Sequence, residues 1–253
     1  MKILAIGDIV GHTGLKKFEK EYKKIKDEID ICIVNAENAA DGFGLQEQQY
    51  NSLVNAGVDV ITMGDHTWGK KDIFKFIDNN NIIRAANLSD QVPGKGYTII
   101  EKNGKKICVI SLIGRTFMSV LSNSPFECVD KILKNVSSDI YIIDFHAEAT
   151  AEKIAMSKYL DGRVTILYGT HTHVQTADET ISEKGTAYIT DLGMTGPKDS
   201  VIGMDIETSL KRFITAIPER YKLADGDTKL NGCIFEINDE NCRPISIKRL
   251  IIE

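Results

Sequence analysis

Short apolar runs alternate with longer stretches of helical period along this chain. Ile3 to Ile6 is an apolar run that stops at Gly7-Asp8, and Thr13 to Ile29 carries Leu15, Phe18, Tyr22, Ile25 and Ile29 among Lys and Glu. That spacing predicts a helix, with Thr13 as its N-cap. Ile31 to Val34 reads as a second buried strand, Gln46 to Ala56 as a helix closed by Gly57, and Val58 to Met63 as a third strand. Lys70 to Asn79 reads as another amphipathic helix. Strand and helix in alternation argue for an α/β layered fold with a mostly buried sheet.

The texture then changes. Tyr97 to Glu101 and Lys106 to Leu112 flank Asn103-Gly104, a hairpin signal. Pro125 to Val136 reads as helix, Ile140 to Asp144 as strand, Ala149 to Leu160 as helix and Val164 to Tyr168 as strand. Gln175 to Ile189 reads as a hairpin turning near Glu183-Lys184-Gly185, and Ile206 to Ile217 as helix. Asn231 to Asn238 and Pro244 to Ile252 read as a closing pair of strands. Two sheets packed face to face, with helices outside, fit this order in a single domain over 1–253. Phe117 to Asn123 and Gly196 to Asp205 are candidate loops over a site.

Composition narrows the partners. The 253 residues are 42% hydrophobic and 26% charged, enough for a sizeable core. A net charge of -5 offers no polyanion-coating surface, so bulk nucleic-acid binding is not expected. The five cysteines are odd in number and lack a C-x-x-C pair, and Cys32, Cys108 and Cys233 sit in apolar runs. They read as small hydrophobes of a reduced protein rather than as a disulfide scaffold. With neither a signal-peptide pattern nor a membrane-length apolar run, a cytoplasmic enzyme is expected.

Chemistry concentrates where predicted strands end. Gly7-Asp8, Asn35-Ala36-Glu37-Asn38, Gly64-Asp65-His66, Asp144-Phe145-His146 and Gly169-Thr170-His171-Thr172-His173 hold four of the chain's five histidines. Ligands of α/β sheets bind beyond the carboxyl ends of strands, so Asp8, Glu37, Asn38, Asp65, His66, His146, His171 and His173 are candidates to meet at one place. Carboxylate, amide and imidazole without thiolate suit Mn²⁺, Fe or Zn²⁺. A catalytic zinc takes about three protein ligands. The larger number here points to two ions sharing a carboxylate, an arrangement used for phosphoester hydrolysis. An extended His171-Thr172-His173 would point both imidazoles one way.

Bland readings exist for each cluster. Asp8 could cap a helix, Glu37 and Asn38 could be turn residues, His66 could be a core histidine beside Trp68, and His146 could cap the helix near Thr150. Their joint occurrence at strand ends favours a site. His12 reads as a rim or surface residue. Glu148 and Asp178 are candidates to orient the imidazoles.

These residues, in this order, resemble the calcineurin-like metallophosphoesterase superfamily, and within it the bacterial YmdB-type branch. The matching stretches are Ile6-Gly7-Asp8-Ile9-Val10-Gly11, Asn35-Ala36-Glu37-Asn38-Ala39-Ala40, Gly64-Asp65-His66-Thr67-Trp68, Asp144 to Thr150, Gly169 to Asp178 and Asp191 to Pro197. The likeness spans nearly the whole chain. It implies a calcineurin-like αββα sandwich of two mixed β-sheets flanked by helices. It also implies that Asp8 and His173 hold one metal, that Asp65, His146 and His171 hold the other, and that Glu37 bridges them. Asn38 would assist the first metal or the phosphate, and His66 would be the general acid or position the phosphate. The implied activity is a cytoplasmic phosphodiesterase on cyclic nucleotides, notably 2',3'-cyclic AMP, with two divalent ions of iron or manganese. A homo-oligomer and a regulatory link to biofilm formation or RNA processing are implied as well. The residue before His66 is usually Asn in the branch. Here it is Asp65, whose extra negative charge is expected to alter metal selection.

On this basis the two ions would lower the pKa of a bridging water to give a hydroxide nucleophile, and His66 would protonate the leaving ribose oxygen. A non-catalytic, metal-stabilised nucleotide sensor and a phosphomonoesterase are the rival readings.

Overall fold

The structure, a computed structural model, describes residues 1–253. Two sheets pack face to face between helices, as expected from the order of elements. The first sheet grows from parallel crossovers. β1 (Lys2–Ile6) leads through the two-residue β2 (Asp8–Ile9) and α1 (Gly11–Ile25) to β3 (Ile31–Asn35). The chain continues through α2 (Glu47–Ala56), β4 (Val60–Thr62) and β5 (Ile82–Ile83). The second sheet follows. Its elements are β6 (Tyr97–Lys102), β7 (Lys105–Ile113), α3 (Pro125–Asn135), β8 (Ile140–His146), α4 (Thr150–Tyr159), β9 (Ile166–Thr170), β10 (Thr180–Ile181) and β11 (Ala187–Ile189). β12 (Met194–Pro197), α5 (Ile206–Thr215), β13 (Thr228–Ile237) and β14 (Pro244–Ile252) return the chain to the first sheet. Strand order is β2-β12-β13-β1-β3-β4-β5 in the first sheet, with β14 also on β13, and β10-β11-β9-β8-β7-β6 in the second.

Alternation along the strands builds three apolar layers. On β1, Ile3 and Ala5 face the second sheet, while Leu4 and Ile6 pack with Phe18 and Tyr22 of α1. On β8, Ile140 and Ile142 enter the same inter-sheet layer, while Ile143 and Phe145 pack with Val129 of α3 and Met156 of α4. Cys32, Cys108 and Cys233 are buried free thiols within these layers, as their apolar context suggested. No helix is long and apolar enough to cross a membrane.

Some local expectations need correction. α1 begins at Gly11 with Val10 in the cap position and no side-chain cap, so Thr13 lies inside the first turn. Lys70 to Asn79 contains only a 3-10 turn, Lys71–Lys75. Ile73, Phe76 and Ile77 are buried there without a full helix, so a short turn satisfies the same apolar spacing. The hairpin of Gln175 to Ile189 is reduced to the pairing of β10 with β11. The expected loop from Gly196 begins as β12, which pairs with both β2 and β13. Such two-to-four-residue strands carry too little sequence for a period to show.

Candidate metal centre

The inter-sheet faces of four strands are apolar until their last residues. Ile31 and Ile33 precede Asn35, Val60 precedes Thr62, Ile140 and Ile142 precede Asp144 and His146, and Ile166 and Tyr168 precede Thr170. Residues two apart share a face, so these polar groups meet where the strands end. Asp144 is their hub. Thr170 Oγ1 donates to its Oδ1 at 2.7 Å, and Asn35 Nδ2 and Thr62 Oγ1 donate to its Oδ2. Burial pushes the Asp144 pKa up to about 6, against the opposing pull of His146 and both hydroxyls.

The candidate ligands stand on this floor. His146 Nε2 lies 2.9 Å from Asp65 Oδ1, 3.1 Å from Glu37 Oε1 and 3.0 Å from His171 Nδ1. These four residues offer ligand atoms all within 4.8 Å of one another. Asp8 and His173 form the adjoining group: His173 Nε2 is 3.7 Å from Asp8 Oδ1, and the His171 backbone N–H donates to Asp8 Oδ2. Asp8, Glu37 and His146 are buried, and Asp8, Glu37 and Asp65 have no Lys or Arg in an ion pair. Burial alone would raise the Asp8 and Asp65 pKa values, but hydrogen bonds and charge from the imidazoles outweigh it and hold both well below the usual carboxylate range. Burial likewise opposes charge on His146, while Glu37 and Asp65 draw its pKa well above the ordinary value. Imidazolium is thus the compensation available from the protein itself. A divalent cation would take its place and release the protons.

The outer nitrogens of the three histidines show that the cluster suits such an ion. Thr170 Oγ1 donates its hydrogen bond to Asp144 Oδ1, so toward His146 Nδ1, 2.9 Å away, it acts as acceptor. Glu148 Oε2 lies 3.1 Å from His171 Nε2, and the Ile202 carbonyl accepts from His173 Nδ1 at 2.8 Å. An oxygen beside each outer nitrogen favours a proton there and leaves the inner lone pair toward the carboxylates. Gly64 leaves the space this convergence requires. A Cβ there would stand 2.3 Å from His146 Cδ2 and 2.4 Å from Glu37 Oε2.

The structure refines several sequence-level expectations. His171 and His173 adopt φ of 99° and 64°, so the segment is not extended. Its imidazoles reach two neighbouring groups, His171 toward Asp65 and His146, His173 toward Asp8 and Asn38. Asn38 turns its amide nitrogen toward Asp8, Glu37 and His173, while its oxygen accepts from His66 Nδ1 at 2.7 Å. Coordination through that oxygen requires the amide to turn over. His66 stands at the rim, with its ring 4.4 Å from that of Phe43. His12 is exposed and close to Asp41, away from the ligands. Glu148 stands beside His171, where it could orient the ring, but Asp178 is bonded to Thr190 instead. The Gly196 to Asp205 segment does border the site through Ile202, whereas Asn123 of the other candidate loop bonds Asn87 elsewhere.

One buried pair beside the site escaped sequence reasoning. Lys153 Nζ donates to Asp191 Oδ2 at 2.6 Å and to the Thr170 carbonyl at 2.8 Å, while Asp191 Oδ2 accepts from Thr172 N. This buried pair grips the backbone on either side of His171 and so supports its left-handed conformation, which costs about 1–3 kcal/mol. Above the centre opens a cavity of about 500 Å³, lined by Glu37, Asn38, His66, His171 and His173 below and by Phe43, Tyr221 and α5 residues around it.

The two-sheet sandwich carries, at the carboxyl ends of its strands, a buried cluster of oxygen and nitrogen groups that could hold a metal ion. The chain belongs to the YmdB-like protein family, whose model matches residues 4–250. It is 49% identical over 258 aligned residues to a 2',3'-cyclic-nucleotide 2'-phosphodiesterase of Bacillus subtilis, covering 100% of this chain and 97% of the relative. A crystal structure of a Mycoplasma pneumoniae phosphatase superposes with a TM-score of 0.96 at 36% identity, covering 100% of this chain and 93% of the other. A crystal structure of a hypothetical protein of Thermus thermophilus gives 0.96 at 37% identity, with 100% and 99% covered.

Proposed function

We propose that this chain is a metal-dependent phosphodiesterase that opens 2',3'-cyclic nucleotides, notably 2',3'-cyclic AMP. The observation that carries this reading is the convergence of Asp8, Glu37, Asp65, His146, His171 and His173, with no Lys or Arg among their ion-pair partners, beneath one open cavity. The full-length likeness to the Bacillus subtilis diesterase supports the substrate class.

Two divalent ions fit the residues. Asp65, His146 and His171 would hold one, Asp8 and His173 the other, and Glu37 lies beside both groups through His146 and Asn38. Iron or manganese suits this donor set, and zinc is compatible with it. When bound, such ions lower the pKa of a water and withdraw charge from phosphoryl oxygens. The protein's own groups do the rest. Glu148, Thr170 and the Ile202 carbonyl orient the imidazoles. Asn38 Oδ1 accepts a hydrogen bond from His66 Nδ1–H, so His66 in its imidazolium form would present Nε2–H to the leaving ribose oxygen and become neutral imidazole on giving that proton up. The exposed apolar residues Ile206, Leu210, Ile214 and Ile217 of and after α5 support self-association, which sedimentation would measure.

Anaerobically prepared protein loaded with Mn²⁺ or Fe²⁺ should hydrolyse 2',3'-cyclic AMP and lose the activity on chelation. His66→Gln should lower turnover by about 10²–10⁴-fold while metal content stays high. Tight nucleotide binding without turnover would replace this reading with that of a sensor. The Mycoplasma pneumoniae relative is called a phosphatase, so monoesters belong in the panel, and a preference for them would reassign the substrate class.

A further inference from the structure

The cavity above the metal centre has two unlike ends. Its floor carries carboxylates and imidazoles, and its walls carry Phe43, Phe213 and Tyr221. These rings are 48%, 76% and 43% exposed, and they are three of the seven aromatic residues that the fold leaves exposed. Single exposed aromatics need no explanation, but three around one cavity do. Two are held in place. The loop turns with positive φ at Gly42 and Gly44 on either side of Phe43, whose ring lies against His66. Tyr221 lies against Gly42, where a Cβ would come within 2.3 Å of its ring. Both rings therefore flank the same Gly42-Phe43 peptide. Arg212 is the single Lys or Arg in the lining, so charge offers little selection at this end.

We infer that Phe43 and Tyr221 form a stacking wall for the nucleobase, with Phe213 approaching from α5, so that the cavity selects nucleotides over base-free diesters. This rests on the diesterase reading above. A cyclic nucleotide carries its charged phosphate at one end and a flat π-face at the other, matching the two ends of the cavity. Stacking on an aromatic side chain tolerates any base, so the wall would rank bases by stacking strength, purines above pyrimidines.

The test compares kcat/KM for 2',3'-cyclic AMP with that for glycerol 1,2-cyclic phosphate, which has the same five-membered diester and no base. Mn²⁺-loaded wild type should favour the nucleotide by at least about tenfold, and Phe43→Leu and Tyr221→Leu should each reduce that ratio about 5–10-fold through KM. Tyr221→Phe should preserve it. A wild-type ratio near one, or a ratio unmoved in both Leu variants, would overturn the inference. So would a loss of discrimination confined to Arg212→Ala, which would assign recognition to charge. Calorimetric binding of adenosine 3'-monophosphate against glycerol phosphate separates this inference from the reading it rests on. If neither diester is turned over, tighter nucleotide binding that Phe43→Leu abolishes still supports the wall, and equal affinities reject it.

Discussion

Two buried charged clusters lie side by side at the strand ends, and they are built on opposite rules. In the first, Lys153 meets Asp191 at 2.6 Å, and backbone groups of Thr170, Thr172 and Gly193 complete their hydrogen bonds. In the second, Asp8, Glu37 and Asp65 face one another with imidazoles as their ion-pair partners. The strand-end residue Thr170 belongs to both, giving its carbonyl to Lys153 and its hydroxyl to His146 and Asp144. The first cluster contains its own permanent cation and serves to hold backbone. The second has only imidazoles to answer its carboxylates and is open to a cation from outside. Burial of charge therefore does not mark a functional site by itself; what marks it is the absence of a Lys or Arg to answer the carboxylates.

Removing the internal cation should have the largest effect on folding. Lys153→Met leaves Asp191 buried without its cation and should cost about 3–5 kcal/mol in urea unfolding, and the double variant Lys153→Met/Asp191→Leu should recover most of it. A small effect of the single change would erase the distinction between the clusters. Gly64→Ala attacks the second cluster by volume alone. Its methyl group would occupy the space between His146 and Glu37, so metal binding should be lost while the fold is weakened by only about 1–3 kcal/mol. Metal uptake equal to wild type would show that the ligands need not converge there. Glu148→Gln makes the mildest change. It removes the carboxylate charge 3.1 Å from His171 Nε2, and affinity for Mn²⁺ should fall about tenfold, at the low end for such a partner because Glu148 is half exposed.

The layers and most elements were legible because apolar period carries them. Glu37, Asp65, His146 and His171 were legible because strand ends concentrate rare residue types, and the structure brings these four together. Asp144 was within reach too, since it precedes His146 by two on a strand and must share its face. Lys153 was not. It sits in an ordinary helical Ala-Glu-Lys-Ile stretch, and its partner is 38 residues away. The left-handed His171 and His173 were also hidden, because long-range bonds from Asp8, Asp191 and the Ile202 carbonyl impose that backbone against local preference. The orientation of the Asn38 amide depends on neighbours on three other segments, Asp8, His66 and His173.

The central claim is that the second cluster is a cation site. Its most direct test is calorimetric titration of metal-free protein with Mn²⁺, followed by thermal unfolding. Uptake of about two ions per chain, proton release on binding, and an unfolding temperature that rises with Mn²⁺ concentration are expected. No uptake, with an unchanged unfolding temperature, would contradict it.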